Sequence, residues 1–248
     1  MSTPTRTAAQ SPVVGKPRRS PRPSTVTAKL VMAVTGTVFA LFVVVHMVGN
    51  LKVYLGAEHF DDYAHWLRTL GEPLLPYEGV LWTLRVILGV CLIGHVGCGV
   101  LLWRRARRAR GPFRRRRLGW GWRTFSARTM PVTGIVLLLF LVFHLLDLTT
   151  GTAPVASSAY DPGTITTSAA YANLVASFDR PAVSAFYLLA MAVLGLHLLH
   201  GLWSAVNDFG ITGQRWRQGA TVVGGTLAAA VFVGNASIPI AVLTGVVS

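Results

Sequence analysis

The chain is poor in charged residues, and it has almost no cysteine. Only 13% of its 248 residues are charged, and two are cysteine. Soluble globular proteins are about 25% charged, which disfavours that class, and two cysteines exclude a disulfide scaffold. The apolar share of 52% is too high for a disordered chain. The composition predicts a polytopic membrane protein, so we interpret the net charge of +14 by its location and not as a sign of nucleic-acid binding.

Five apolar runs are long enough to cross a bilayer, which takes about 20 residues. They are Leu30–Leu51, Val80–Trp103, Met130–Thr149, Val183–Val206 and Ala220–Val246. The first run begins too far from the start to resemble a cleavable signal peptide. We therefore expect an all-α integral membrane protein, with a disordered basic cytoplasmic tail at 1–28 and a five-helix transmembrane domain at 29–248.

The loops differ sharply in basic charge, and this difference predicts the orientation. The segments 1–29, 104–128 and 208–218 together hold nineteen Lys and Arg, whereas 52–78 and 151–182 hold three. Loops rich in Lys and Arg stay in the cytoplasm. The N-terminus is therefore predicted to be cytoplasmic and the C-terminus extracytoplasmic. The basic face could also contact a soluble partner or anionic lipid.

Four of the five spans carry histidine, although ionisable groups are costly at membrane depth and mostly functional there. The five intramembrane histidines are His46, His95, His144, His197 and His200. With a helical rise of about 1.5 Å per residue, they sort by depth into two layers. His46 and His144 fall near the outer end, and His95 and His197 near the inner end.

Two histidines at one depth on different helices are suited to bind a b-type haem through both faces of its iron. The sequence predicts two such haems, a distal one at His46/His144 and a proximal one at His95/His197. The covalent attachment motif C-x-x-C-H does not occur, so both would be held noncovalently.

Two other classes of function remain open. The histidines could instead relay protons in a channel or transporter, although no repeat between the two halves and no broken helix is predicted. Alternatively, Cys91, His95 and Cys98 share one helix face, and with another histidine they could hold a Rieske-type [2Fe-2S] cluster. Small buried apolar cysteines are the simpler interpretation of that face.

Four segments carry a family resemblance. They are FALFVVVHMVGNL, GAEHFDDYAHWLRTLGEPLL, PVTGIVLLLFLVFHLLDL and LGLHLLHGLWSAVNDFG. In order and in flanking residues they resemble the cytochrome b membrane anchor of succinate dehydrogenases and fumarate reductases, of the five-helix, di-haem b558 type. The resemblance covers roughly residues 28–248.

The resemblance implies the same haem pairs as depth does. Its pattern favours His197 over His200 as the ligand, because the ligand stands four residues before the Gly of G-L-W-S. His200 would then lie beside the ligand or on the quinone side. Some members have a Glu two residues before this ligand as a proton route, whereas this chain has Gly195.

The resemblance implies an electron-transfer subunit of respiratory complex II in the tricarboxylic acid cycle, without catalytic activity of its own. The implied partners are the flavoprotein and iron–sulfur subunits, docked on the basic face, and membrane lipid. The implied substrate is a quinone, menaquinone by analogy, and the location is a bacterial plasma membrane. Candidate quinone contacts on the outer side are Glu58, Asp61, His65, Glu72 and Asp147.

Overall fold

The computed structural model describes residues 23–111, 122–211 and 213–248. Within these ranges every regular element is helical. The α-helices are α1 (Thr25–Asn50), α2 (Ala57–Thr69), α3 (Gly79–Arg110), α4 (Trp122–His144), α5 (Ala170–Phe178), α6 (Pro181–Asp208) and α7 (Gln214–Leu243). A 3-10 turn, Leu51–Leu55, follows α1, and a π-helical turn, Leu145–Thr149, follows α4.

In the part of the chain that the structure describes, five helices are long and apolar enough to cross a membrane, which confirms the predicted fold class. They are Thr25–Leu55, Gly79–Arg110, Arg128–Thr149, Pro181–Asp208 and Gln214–Leu243. The first begins before the predicted Leu30, because Ser24 caps the helix by accepting a hydrogen bond from the Thr27 amide at 3.0 Å. The predicted tail falls mostly on residues 1–22, outside the described residues. The side of the membrane that each end faces stays a prediction.

Helix α6 is central to the bundle and packs against α1, α4 and α7, while α3 packs mainly on α1. The contact of α6 with α7 uses small residues, as is usual between helices in lipid. A Cβ at Gly224 of α7 would lie only 3.3 Å from Leu202 of α6. The most apolar stretch of α3 has no buried residue, as expected for a helix with much of its surface in lipid.

The basic helix ends gather at one end of the bundle. Lys29 at the start of α1 pairs with Asp208 at the end of α6 at 3.2 Å. Arg105, near the end of α3, donates to the Thr25 hydroxyl at 3.0 Å and to the Pro23 carbonyl at 2.7 Å. The arginines Arg114–Arg117, in the basic segment 104–128 of the predicted docking face, lie outside the described residues.

Two short helices that the hydropathy pattern did not predict cover the other end. Asp61 of α2 accepts a hydrogen bond from the Tyr171 amide at the start of α5, at 3.0 Å. Phe60 of α2 is buried in one apolar cluster with Phe178 of α5 and Val242 of α7. The cover ties the loops between the spans to the ends of the transmembrane helices, next to one of the two histidine layers.

Candidate cofactor site

The structure brings the four predicted ligands together in two pairs, each between different helices. The ring centroids of His46 on α1 and His144 on α4 are 5.9 Å apart. Those of His95 on α3 and His197 on α6 are 6.5 Å apart. Each pair therefore joins one helix from the α1/α3 half of the chain to one from the α4/α6 half.

These separations suit a metal held between two imidazoles. With metal–nitrogen bonds of about 2 Å and each nitrogen about 1.2 Å from its ring centroid, the two centroids should lie about 6.4 Å apart. The described residues contain no group of three or more His, Cys, Asp or Glu placed to hold a metal ion. A bare ion would thus lack ligands, whereas the iron of a haem needs only two from the protein. The residues present fit haem b.

The two pairs lie at different depths. Thr35 contacts His95 and so marks the inner level on α1, eleven residues before His46. Thr133 marks the same level on α4, eleven residues before His144. Eleven residues of helix correspond to about 16 Å. This gap far exceeds the roughly 3 Å of a hydrogen bond, so the two pairs cannot pass protons directly between them.

Threonine hydroxyls orient both inner histidines. The Thr35 and Thr133 oxygens each lie 3.0 Å from Nδ1 of His95 and His197, respectively. The single proton of Thr35 goes to the Val31 carbonyl at 2.7 Å, and that of Thr133 to the Met130 carbonyl at 3.0 Å. Each imidazole must then donate its Nδ1–H to the threonine. This leaves Nε2 as the unprotonated nitrogen, which a metal requires.

Close approach of the helices places the same rings against glycine. A Cβ at Gly36 would lie 3.3 Å from Cε1 of His95, and one at Gly134 would lie 3.8 Å from Cε1 of His197. The residue that follows each orienting threonine is therefore one without a side chain, which leaves space beside the ring.

Aromatic rings support the outer pair. Phe42 stacks on His46 with ring centroids 5.4 Å apart, and Phe140 stacks on His144 at 5.7 Å. Nδ1 of His144 lies 3.3 Å from the Tyr187 hydroxyl of α6. That hydroxyl is also 3.0 Å from the carboxylate of Asp147.

The threonine, glycine, phenylalanine and histidine positions form one motif that occurs twice. Residues 34–46 and 132–144 share V-T-G-x-V-x-x-L-F-x-V-x-H, with eight of thirteen residues identical. The expectation of no repeat between the halves is therefore wrong. In both copies the threonine contacts an inner histidine of a neighbouring helix, and the phenylalanine stacks on the outer histidine one turn later. The sequence alone contained this signal.

The other predicted contacts are more dispersed. His200 lies on α6 outside both pairs, with its ring 6.3 Å from that of Trp203. Glu58 is exposed in the first turn of α2, and Asp61 is engaged with the α5 backbone. Nδ1 of His65 is buried with no hydrogen-bond partner among the described residues. Asp147 is fully buried and paired with an arginine.

The cysteines do not form the alternative cluster site. Cys91 and Cys98 are both free and partly buried on α3. In the part of the chain that the structure describes, they belong to no group of metal-binding side chains. This arrangement favours their interpretation as small apolar residues.

The described residues form an all-helical fold with five candidate spans and two interhelical histidine pairs. The chain is 28% identical over 172 residues to the succinate dehydrogenase cytochrome b558 subunit of Bacillus subtilis (strain 168), an alignment that covers 69% of this chain and 73% of that protein. No family model and no solved structure matches the chain. The similarity supports the resemblance found in the sequence, that of a cytochrome b membrane anchor.

Proposed function

We propose that this chain is the membrane-anchor cytochrome b subunit of a succinate dehydrogenase in a bacterial plasma membrane. It would carry electrons from an iron–sulfur subunit to a membrane quinone through two b haems. The observation that carries the proposal is the pairing of four histidines across helices, at separations suited to haem iron, in two layers. The similarity to a cytochrome b558 subunit agrees with it.

Each part of the site would have its own task. His95 and His197 would bind the inner iron, with Thr35 and Thr133 holding both rings in the tautomer that presents Nε2. His46 and His144 would bind the outer iron between stacked phenylalanines. Bound haem would supply a one-electron carrier at each of the two depths. The distance between the layers disfavours a direct histidine proton relay.

The two ends of the bundle suit different partners. The basic end, where α1, α3 and α6 are tied together, would dock the iron–sulfur subunit and, through it, the flavoprotein. At the outer end the buried Nδ1 of His65 lacks a hydrogen-bond partner among the described residues. It could hydrogen-bond a quinone carbonyl there.

The test is haem content and spectrum of the purified complex, with histidine variants. We expect two b haems per chain. His95→Ala and His197→Ala should remove one and the same haem, and His46→Ala and His144→Ala the other, because an iron with one imidazole is weakly held. His200→Ala is the matched control on α6, and it should keep both.

Two results would contradict the proposal, and a third would correct one of its ligands. A complex without a b-type band would remove its basis. Iron and acid-labile sulfide without haem, found on this chain after the iron–sulfur subunit has been removed, would favour the cluster alternative, in which Cys91 and Cys98 are ligands. Loss of a haem from His200→Ala, with both retained in His197→Ala, would shift the ligand on α6 by one turn.

A further inference from the structure

A buried carboxylate, paired with a partly exposed arginine, lies next to the outer histidine pair. Asp147 is in the π-helical turn after α4, and its side chain is completely buried. Its Oδ1 accepts from Nη2 of Arg180 at 2.5 Å, and its Oδ2 accepts from the Ser177 hydroxyl at 2.6 Å and the Tyr187 hydroxyl at 3.0 Å. A buried carboxylate needs such partners to be tolerated. These contacts join three elements: Asp147 lies in the π-turn, Ser177 in α5 and Tyr187 in α6.

The directions of the hydrogen bonds follow from counting protons. Tyr187 has one hydroxyl proton, and the carboxylate beside the permanently charged Arg180 can only accept. The tyrosine therefore donates to Asp147, and its oxygen accepts the Nδ1–H of His144 at 3.3 Å. These hydrogen bonds form a chain from the imidazole through the phenol to a carboxylate, and they leave Nε2 of His144 free for iron.

The inner ligands differ from His144 in the final acceptor of their hydrogen-bond chains. His95 and His197 donate to threonines that in turn donate to neutral backbone carbonyls. Hydrogen bonds to ionised acceptors are roughly twice as strong as neutral ones, and linked bonds polarise one another. A carboxylate behind a ligating histidine makes that histidine a more basic ligand. A more basic ligand stabilises ferric over ferrous iron.

We propose that Tyr187 and Asp147 are positioning residues for the outer haem and lower its midpoint potential selectively. They do so by fixing His144 as the Nδ1–H tautomer and by drawing that proton toward a carboxylate. This inference rests on the proposed function, because it takes His144 as an iron ligand. Arg180 and Ser177 hold the carboxylate in place through their hydrogen bonds to its two oxygens.

The experiment is a redox titration of the complete complex, following the absorbance of each haem. Tyr187→Phe removes the link to His144 and keeps the ring contacts with Phe140 at 5.2 Å and Phe178 at 4.8 Å. Asp147→Asn keeps the shape but removes the charge. In both variants we expect the outer haem alone to become easier to reduce. Its ratio of reduced to oxidised form at a fixed ambient potential should rise tenfold or more, which is about 59 mV for one electron.

The matched control is Tyr171→Phe. Tyr171 is also near the outer end, but its hydroxyl donates to the Ser248 carbonyl at 3.2 Å. This variant should leave both potentials unchanged. If Asp147→Asn fails to assemble because Arg180 loses its counter-charge, Tyr187→Phe decides the matter, since it leaves the ion pair intact.

The outcomes distinguish failure of the inference from failure of the proposed function. Unchanged potentials in Tyr187→Phe, with both haems bound, would overturn the inference and leave the proposed function standing. Loss of the outer haem, or a parallel shift of both potentials, would indicate a packing role and would equally overturn it. Absence of haem from the unmodified complex would defeat the proposed function itself.

Discussion

At the scale of single residues, the threonines of the repeated motif should determine how tightly the inner haem is held. Thr35→Val and Thr133→Val remove the acceptor for the Nδ1–H of His95 and His197 with little change of shape. Loss of such a partner typically costs 10- to 100-fold in metal affinity. We expect a loss of that size for the inner haem alone, measured as haem retained during titration with a haem-scavenging protein.

The control for this prediction lies two residues away. The Thr37 hydroxyl donates to the Ala33 carbonyl of its own helix at 2.8 Å, and it occupies the variable fourth position of the motif. Thr37→Val should keep both haems as the unmodified protein does. Equal haem retention in Thr35→Val and Thr37→Val would mean that the threonine contact does not support the ligand.

The residue scale also shows what the sequence could and could not predict. Depth along each helix follows from the rise per residue, so the layers of His46 with His144 and of His95 with His197 could be predicted. Thr35, the partner of His95, and Tyr187, the partner of His144, each lie on a different helix from their histidine. Whether they face it depends on how the helices are rotated about their axes when they pack. The recurrence of V-T-G eleven residues before a histidine pointed to the threonine, whereas nothing local pointed to Tyr187.

At the scale of elements, the close approach of Tyr63 of α2 to the end of α1 should depend on Gly49. A Cβ there would lie 2.8 Å from the Tyr63 hydroxyl oxygen and 2.9 Å from a ring carbon, and an aromatic ring cannot yield as a flexible chain does. Overpacking of this kind costs about 1–3 kcal/mol. We expect Gly49→Ala to lower the midpoint of thermal unfolding in detergent.

Gly97 of α3 provides the comparison. A Cβ at this position would meet nothing within 4 Å, and alanine is favoured over glycine inside a helix by about 1 kcal/mol. Gly97→Ala should therefore be neutral or slightly stabilising. A fall in the midpoint as large as that of Gly49→Ala would contradict the proposed importance of the α2 contact.

Element prediction from the sequence was accurate where hydropathy alone decides, and weak elsewhere. The five apolar runs became five helices, but α1 and α7 extend beyond the predicted Leu30 and Ala220, because a helix continues through polar residues outside the apolar core. The short helices α2 and α5 are stabilised by contacts with each other, such as Asp61 with Tyr171. Such contacts join segments far apart in the chain, so local pattern does not show them.

At the scale of the whole molecule, the asymmetry of basic charge should fix the orientation. Five spans with a cytoplasmic N-terminus place Ser248 outside. A reporter enzyme that is active only outside the cytoplasm should therefore be active when fused after Ser248. The same reporter fused after Arg110, at the basic end of α3, should be inactive. Activity in the reverse pattern would mean that the charge rule does not determine this topology.

The pairing of histidines across the two halves also sets the timing of biogenesis. In the proposed assignment the second ligand of each haem is synthesised about 100 residues after the first. His144 follows His46 by 98 residues, and His197 follows His95 by 102. At about 5–20 residues per second, translation leaves each early histidine alone in the membrane for roughly 5–20 s. Haem insertion is then a late step for both sites. A nascent chain released after α4 could close the outer site but never the inner one.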